Sequence, residues 1–357
     1  MKGSRNLLIV NYSMSANHPI FSHCVEIVAG LSEFFSKIHV ITLGDFDASL
    51  PDNVTVVALG AERVPKILKL IALARAYFSF LRKEKNHILF CHMTERPFLL
   101  LAPISKLLKN KTYLWYAHTS KSLALFLSQP FASAYITSTK GSFPWKFKKL
   151  FFIGQGISSQ QFQFHPKQIN RFSNFIHIGR NDPSKNIDLL IDLFSIMSSR
   201  EIITKDATIT LLGNTSREYM SYKLYLNEKI LSLSISERCI FETAVPRAQV
   251  VNFLREADVF LHAYLGSLDK TLLEATLCGV PVITCNREYL REFGSWSDAE
   301  LSQSIDNCPD ILIREFEGLV STSTLKLKQE LNRRAEIARN THNLGDWLSR
   351  LKRILVA

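Results

Sequence analysis

Phe175-Ile176-His177-Ile178-Gly179-Arg180-Asn181-Asp182-Pro183-Ser184-Lys185 is the stretch on which the fold turns. Its first four residues read as a buried strand, and Ile187, Leu190, Ile191, Phe194 and Met197 then recur at helical spacing. The turn between strand and helix carries two cations, Arg180 and Lys185. A helix start offers unpaired backbone N–H groups and the positive end of a dipole, so cations flanking it form a receptor for a diphosphate. Arg supplies a planar fork and Lys a mobile point charge. The competing reading is a pair of solvated cations beside a loop. The repetition of the same architecture downstream favours the receptor.

Working outward, strand-like segments alternate with helical patterns along the whole chain. In the first half these are Leu7 to Asn11, Ile38 to Leu43, Val54 to Leu59, His87 to Cys91, Thr112 to Ala117, Ala134 to Ser138 and Leu150 to Gly154. In the second they are Phe175 to Ile178, Thr208 to Leu212, Cys239 to Phe241, Asp258 to His262 and Pro281 to Cys285. Repeated βαβ units imply an α/β protein with two parallel sheets covered by helices, and ligands at the carboxyl ends of the strands. After Asp258 to His262 comes the loop Ala263 to Lys270, then Leu272-Leu273-Glu274-Ala275-Thr276-Leu277-Cys278, stopped by Gly279 and Pro281. Glu274 has apolar neighbours, so it reads either as a carboxylate held near the core and needing partners, or as a solvent-facing Glu favoured by the helix dipole.

The chain has 357 residues, 46% of them hydrophobic, more than one core usually holds. No apolar run approaches the ~20 residues needed to span a bilayer, and Leu7-Leu8-Ile9-Val10 is too short for a signal-peptide core, so a cytoplasmic protein is expected. The six cysteines, Cys24, Cys91, Cys239, Cys278, Cys285 and Cys308, show no CxxC or Cys/His ligand spacing and read as reduced core residues.

Residues 1–165 hold 19 Lys/Arg against 8 Asp/Glu, whereas 166–357 hold 24 of each, so the net +11 belongs to the first half. This asymmetry predicts a basic N-terminal domain over 1–165 facing something acidic and a second domain over 166–340. The boundary is expected in the polar segment Ser158 to Ser173.

The ordered set Gly179-Arg180 with Lys185, Leu211-Leu212-Gly213, Ala257-Asp258-Val259-Phe260, and Leu272-Leu273-Glu274-Ala275 with Gly279-Val280-Pro281-Val282 resembles the family four retaining glycosyltransferases of the GT-B fold, the glycosyl transferases group 1. The likeness covers the second half. It is thinner in the first, at Leu114-Trp115-Tyr116-Ala117-His118 and Ile153-Gly154-Gln155-Gly156-Ile157 leading to Phe162, and it returns at Thr341-His342-Asn343-Leu344 with Trp347, Leu348, Leu351 and Ile354.

The resemblance implies two Rossmann-like domains facing a central cleft, a terminal helix over 341–357 packing back toward the first domain, and a transferase taking a hexose from a nucleotide diphosphate sugar. The acceptor would be a glycan or lipid, in bacterial surface polysaccharide biosynthesis. Gly179, Arg180, Lys185 and Gly213 would hold the diphosphate, stabilising charge that grows on the leaving group. Glu274 would bind the ribose, Val245 and Pro246 would lie near the base, and His118 would reach the sugar from the first domain. Same-face attack is implied, with the departing phosphate taking the acceptor proton and no nucleophilic carboxylate of the kind used in double displacement. No cofactor beyond the nucleotide sugar and no metal is expected; Asp45-Phe46-Asp47 has the form of a DxD but reads as a turn.

Two departures stand out. Where the family usually places a second Glu, eight positions before the ribose one, this chain has Gly266, followed by Ser267, Leu268, Asp269, Lys270 and Thr271 as the residues left to contact the donor. The Gly-Gly loop after the first strand is replaced by Ser13-Met14-Ser15-Ala16-Asn17-His18-Pro19, which makes Asn17 and His18 acceptor-side candidates together with His92 at a strand end.

Arg63 to Lys85 mixes cations with Ile67, Leu70, Ile71, Leu73, Phe78 and Phe80, and Lys140 to Lys149 interleaves Phe143, Trp145 and Phe147 with lysines. Such mixtures suit an anionic membrane surface, each basic residue near it contributing about 1 kcal/mol; the alternative is an amphipathic helix packed on its own sheet. Nucleic acid is not an expected partner, since no groove-reading or RNA-binding signature accompanies the charge. Two rival functions share these features: a sugar-nucleotide epimerase, and a non-catalytic membrane-associated subunit of a glycosyltransferase complex, the latter encouraged by Gly266.

Overall fold

The structure is a computed structural model that describes residues 6–18, 20–60, 65–169, 171–297 and 308–357. These divide into two compact units, one formed by Met1–Gly156 with Leu344–Ala357 and the other by Ile157–Asn343. The chain passes between them at Gly156 and Ile157, ahead of the expected segment Ser158 to Ser173. That segment packs on the second unit: Phe162 is in its core, and Lys167 Nζ and the Ser173 and Asn174 amides bind the buried Asp258 carboxylate at 2.6, 2.9 and 2.9 Å.

The first unit has a seven-stranded parallel sheet in the order β3-β2-β1-β4-β5-β6-β7. Its strands are β1 (Asn6–Asn11), β2 (Ile38–Thr42), β3 (Val54–Ala58), β4 (His87–His92), β5 (Lys111–Trp115), β6 (Ala134–Thr137) and β7 (Leu150–Phe152). The helices are α1 (His23–Ser32), α2 (Lys66–Lys83), α3 (Glu95–Leu107) and α4 (Leu123–Leu127). All six residues of β4 are buried, as expected of a central strand covered on both faces. The last helix, α12 (Leu344–Val356), turns Trp347, Leu348, Leu351 and Leu355 into this unit's core; Leu348 lies so close to Gly30 of α1 that a Cβ there would collide with it.

The second unit has five parallel strands in the order β10-β9-β8-β11-β12: β8 (Asn174–Ile178), β9 (Thr208–Leu212), β10 (Cys239–Glu242), β11 (Val259–His262) and β12 (Val282–Thr284). Around them run α5 (Ile187–Ser199), α6 (Met220–Ser232), α7 (Arg247–Glu256), α8 (Lys270–Cys278), α9 (Arg287–Phe293), α10 (Cys308–Val320) and α11 (Thr324–His342). Gly279 ends α8 in the left-handed conformation, φ 81°, that the Gly-x-Pro stop signal anticipates. In each sheet the connections run outward in opposite directions from one strand pair, β1/β4 in the first and β8/β11 in the second. The carboxyl ends of those pairs are where open α/β sheets bind ligands.

One expectation fails outright. Cys285 and Cys308 form a disulfide, while Cys24, Cys91, Cys239 and Cys278 are buried thiols outside any disulfide. Nothing in their 23-residue separation signals a pair, but the end of β12 and the start of α10 bring their Cα atoms to 5.6 Å. Among the described residues, no helix is long and apolar enough to cross a membrane.

Candidate active site

The loops after β8 and β9 are stitched together by backbone. Gly179 N donates to Leu212 O at 3.0 Å, Asn181 N to Asn214 O at 3.0 Å, and Asn181 Nδ2 to Gly213 O at 3.0 Å. A Cβ at Gly213 would run into the Gly179 carbonyl, so this approach admits only glycine. The helix begins at Ile187, past the turn that carries both cations. Asp182 caps a short 3-10 turn over Pro183–Lys185, accepting from Ser184 N at 3.0 Å, and Asn186 then takes a left-handed conformation, φ 50°, before α5 starts at Ile187. Asn186 Nδ2 donates to Ala263 O at 2.9 Å, which ties the turn to the loop after β11.

That tie brings Lys185 to Asp269. The lysine is only 9% exposed; its ammonium bonds the Asp269 carboxylate and lies 4.2 Å from the centre of the Tyr264 ring. His262 Nε2 is 3.6 Å from the same carboxylate oxygen. Burial alone would raise the Asp269 pKa, but the charge of Lys185 and the contact with His262 hold it well below the usual carboxylate range. Beneath this pair, His177 donates from Nδ1 to Leu261 O at 2.9 Å, and burial, reinforced by His262, depresses its pKa to about 3, so both rings are neutral at pH 7. Arg180 differs: its side chain is mostly exposed, with Nη2 3.2 Å from Asp182. The two cations of the motif therefore stand ready in different ways, one buried on a carboxylate and one at the surface.

Glu274 is 4% exposed, which excludes the solvent-facing reading, and its Oε1 lies 2.6 Å from Arg247 Nη2. Arg247 opens α7 directly after Pro246, and its guanidinium sits 5.5 Å from the Phe162 ring. Its Nε is buried without a hydrogen-bond partner, as is Thr271 Oγ1. Sequence reasoning missed Arg247, because an Arg after Pro carries no local sign that it meets a carboxylate 27 positions on. Val245 packs against the same core as Leu268, whose side chain is wholly buried; Leu268 can thus offer a ligand only its backbone.

Gly266 has a steric reason. Any Cβ there would overlap the Tyr264 phenol, so the family's usual Glu has no room while Tyr264 keeps this position. Asn286 Nδ2 holds the loop, reaching Tyr264 O at 2.9 Å and the carbonyls of Gly266 and Ser267 at 3.3 Å. Asp269, at the N-cap of α8 ahead of Lys270 and Thr271, is the carboxylate this loop does present.

The remaining candidates belong to the first unit. His118 lies three residues beyond the end of β5, with Nδ1 accepting from Ser120 N at 3.0 Å. His18 accepts from Ile20 N at 3.1 Å and Phe21 N at 3.0 Å, so it shapes the turn into α1, while the neighbouring Asn17 is exposed. His92 is buried, its ring parallel to Trp115 at 6.1 Å. Asp47 of the DxD accepts from Ser15 Oγ at 2.7 Å and Ala16 N at 2.8 Å and so serves as a loop tie.

Residues 159–294, all within the second unit, match the family model described as glycosyl transferases group 1. That stretch is thus similar in sequence to the glycosyl transferases group 1. Solved structures similar to the whole chain include HepE of Anabaena in complex with UDP, at a TM-score of 0.73 and 15% identity with full coverage of both chains. Another is the sucrose-phosphate synthase of Thermosynechococcus elongatus, at 0.73 and 12% with 98% of each chain covered. The lipopolysaccharide outer core galactosyltransferase WaaB matches at 0.68 and 12%, covering 99% of this chain and all of its own. These likenesses establish the GT-B fold, with its two Rossmann-like domains. No curated protein matches the chain by sequence.

Proposed function

We propose that this protein is a glycosyl transferases group 1 enzyme, a metal-independent retaining hexosyltransferase. It moves a sugar from a nucleotide diphosphate sugar to a glycan or lipid-linked acceptor in surface polysaccharide assembly. The observation that carries the reading is the buried Lys185 beside Asp269, next to the exposed Arg180, on loops fixed by Gly179, Gly213 and Asn186. Preorganised cations aimed at developing charge are the largest catalytic effect such a site offers, because no reorganisation is needed when the glycosidic bond breaks. As the bond breaks, its electron pair stays on the departing phosphate oxygen, adding one unit of negative charge that Arg180 and Lys185 balance, and that oxygen takes the acceptor proton. Glu274, held by Arg247, accepts from the ribose hydroxyls. HepE was solved with UDP and with UDP-glucose, which makes a uridine diphosphate sugar the first donor to try.

Incubating the protein with a panel of nucleotide diphosphate sugars and measuring released nucleotide tests this reading. Release from one donor, lost in Arg180→Ala, supports it; absence of release and of binding for every donor moves the protein to the non-catalytic subunit reading that the missing Glu at Gly266 favours.

The protein acts at an anionic inner-leaflet surface through α2. That helix turns Leu73, Tyr77 and Phe80 into the core yet leaves Ile67, Ile71 and Phe78 exposed on one face, Ile67 at 64%, beside the exposed Arg75, Arg82, Lys83 and Lys85. Arg63 of the same basic stretch lies outside the described residues. In Lys140 to Lys149, by contrast, Phe143, Trp145 and Phe147 pack inward against Tyr116, Tyr135 and Phe126, so that segment offers cations alone. Salt-sensitive flotation with anionic vesicles is the expected result, and flotation indistinguishable from that with neutral vesicles counts against it.

A further inference from the structure

We infer that His23, Cys24 and His92 form a binding site for a zinc-class divalent ion, which pins the start of α1 to the end of β4. His23 and Cys24 open α1 and His92 ends β4, so two separate places in the sequence converge at the carboxyl end of a central strand of the first unit. One ligand atom from each lies within 4.8 Å of the other two, and all three residues are buried. Cys24 Sγ is 3.8 Å from His92 Nδ1, and the His23 and His92 ring centroids are 5.5 Å apart. Zinc bonds of ~2.3 Å to sulfur and ~2.0 Å to nitrogen place the ligand atoms of one tetrahedral ion about 3.5 Å apart. Small χ rotations of two rings therefore complete the site.

The donor set selects the ion. One thiol and two imidazoles, with no carboxylate in the cluster, suit zinc and its neighbours and exclude magnesium and calcium, which demand oxygen. The surroundings fix the rings as ligand shells do. His23 Nδ1 lies 3.1 Å from Ile20 O, and the tautomer that donates this bond carries its lone pair on Nε2, the arrangement that orients a metal-binding histidine. His92 is held parallel to the Trp115 indole, 5° from coplanar. Binding forms Cys24 S–metal and His N–metal bonds, breaks the thiol S–H bond and releases that proton to solvent, with no change of oxidation state. Three protein ligands leave the fourth position to water.

The test uses the full chain purified without a histidine tag, loaded with zinc, dialysed and measured for bound metal, and separately titrated with Co(II). We expect about one zinc per chain and, with cobalt, a near-ultraviolet thiolate-to-metal band. Cys24→Ser should abolish that band, and His23→Gln should keep it while weakening affinity about tenfold or more. Cys239→Ser, in the other unit, should leave both readouts unchanged. Zinc no higher than in a dialysed blank, or a cobalt band that persists in Cys24→Ser, overturns the inference. His23→Gln and the wild-type measurements stand even where Cys24→Ser fails to fold.

Discussion

Lys185, Arg247 and Lys167 of the second unit each rest on a buried or half-buried carboxylate, whereas Arg75, Arg82, Lys83 and Lys85 of the first point outward beside exposed apolar side chains. Divided by unit, the first holds 22 Lys/Arg against 9 Asp/Glu and the second 21 against 23. The same residue types are therefore used as two different devices. Paired and desolvated charges fix positions for a small anionic ligand and keep the unit near neutrality. An unpaired cationic field acts at range on an extended partner and is weakened by salt.

If that contrast is right, removing one member of a buried pair in the second unit should cost most. Glu274→Ala strands the Arg247 guanidinium and should destabilise the protein by about 3–5 kcal/mol in denaturant unfolding. A loss no larger than that of a surface substitution would make the pair an exposed one in solution.

Acid should act on both units alike. Burial first of all depresses the pKa of His87 in the first unit to about 4 and of His177 in the second to about 3. Each is neutral in the folded chain and titrates near ~6.5 unfolded, so its contribution is complete above that pH and falls as pH drops toward the folded value. Stability at pH 4 should sit roughly 6 kcal/mol below that at pH 7, about 3 kcal/mol from each histidine, with His87→Gln removing about half of the slope.

Gly266→Ala should cost about 1–3 kcal/mol through collision with Tyr264, and Tyr264→Ala in the same chain should relieve it. Relief in the double variant would confirm that Tyr264, and not the backbone, keeps the family's Glu from this position.

Ile67→Ser should be the mildest, within about 0.5 kcal/mol in stability while reducing flotation with anionic vesicles. A large destabilisation would mean that the apolar face of α2 is covered, and the first unit would lose its role as a surface-binding device.

The central strands were legible because parallel strands buried on both faces are short apolar runs bounded by turn residues; the edge strands β3, β7 and β10, though partly exposed, keep the same apolar character. The Gly179 to Lys185 motif was legible for the same reason, with the strand ahead of it and the helix behind. What the sequence concealed was every pairing made through space. Arg247 meets Glu274 only because α7 and α8 pack together, Asp269 meets Lys185 only because Asn186 ties two loops, and Cys285 meets Cys308 only because β12 and α10 are neighbours. The steric ground for Gly266 was equally hidden, since it depends on where Tyr264 lies two residues earlier. The two basic stretches parted ways: the aromatics of Lys140 to Lys149 turn inward, whereas Ile67 and Phe78 of α2 are exposed.

The most direct measurement is calorimetric titration of wild type and Lys185→Ala with a nucleoside diphosphate and with the matching nucleoside. Saturable binding of the diphosphate by wild type, weakened about a hundredfold in Lys185→Ala while the nucleoside binds both alike, is the expected result for a cation that receives the diphosphate. Equal diphosphate affinity in the two proteins would show that Lys185 serves only Asp269, and that the second unit's buried charge is structural.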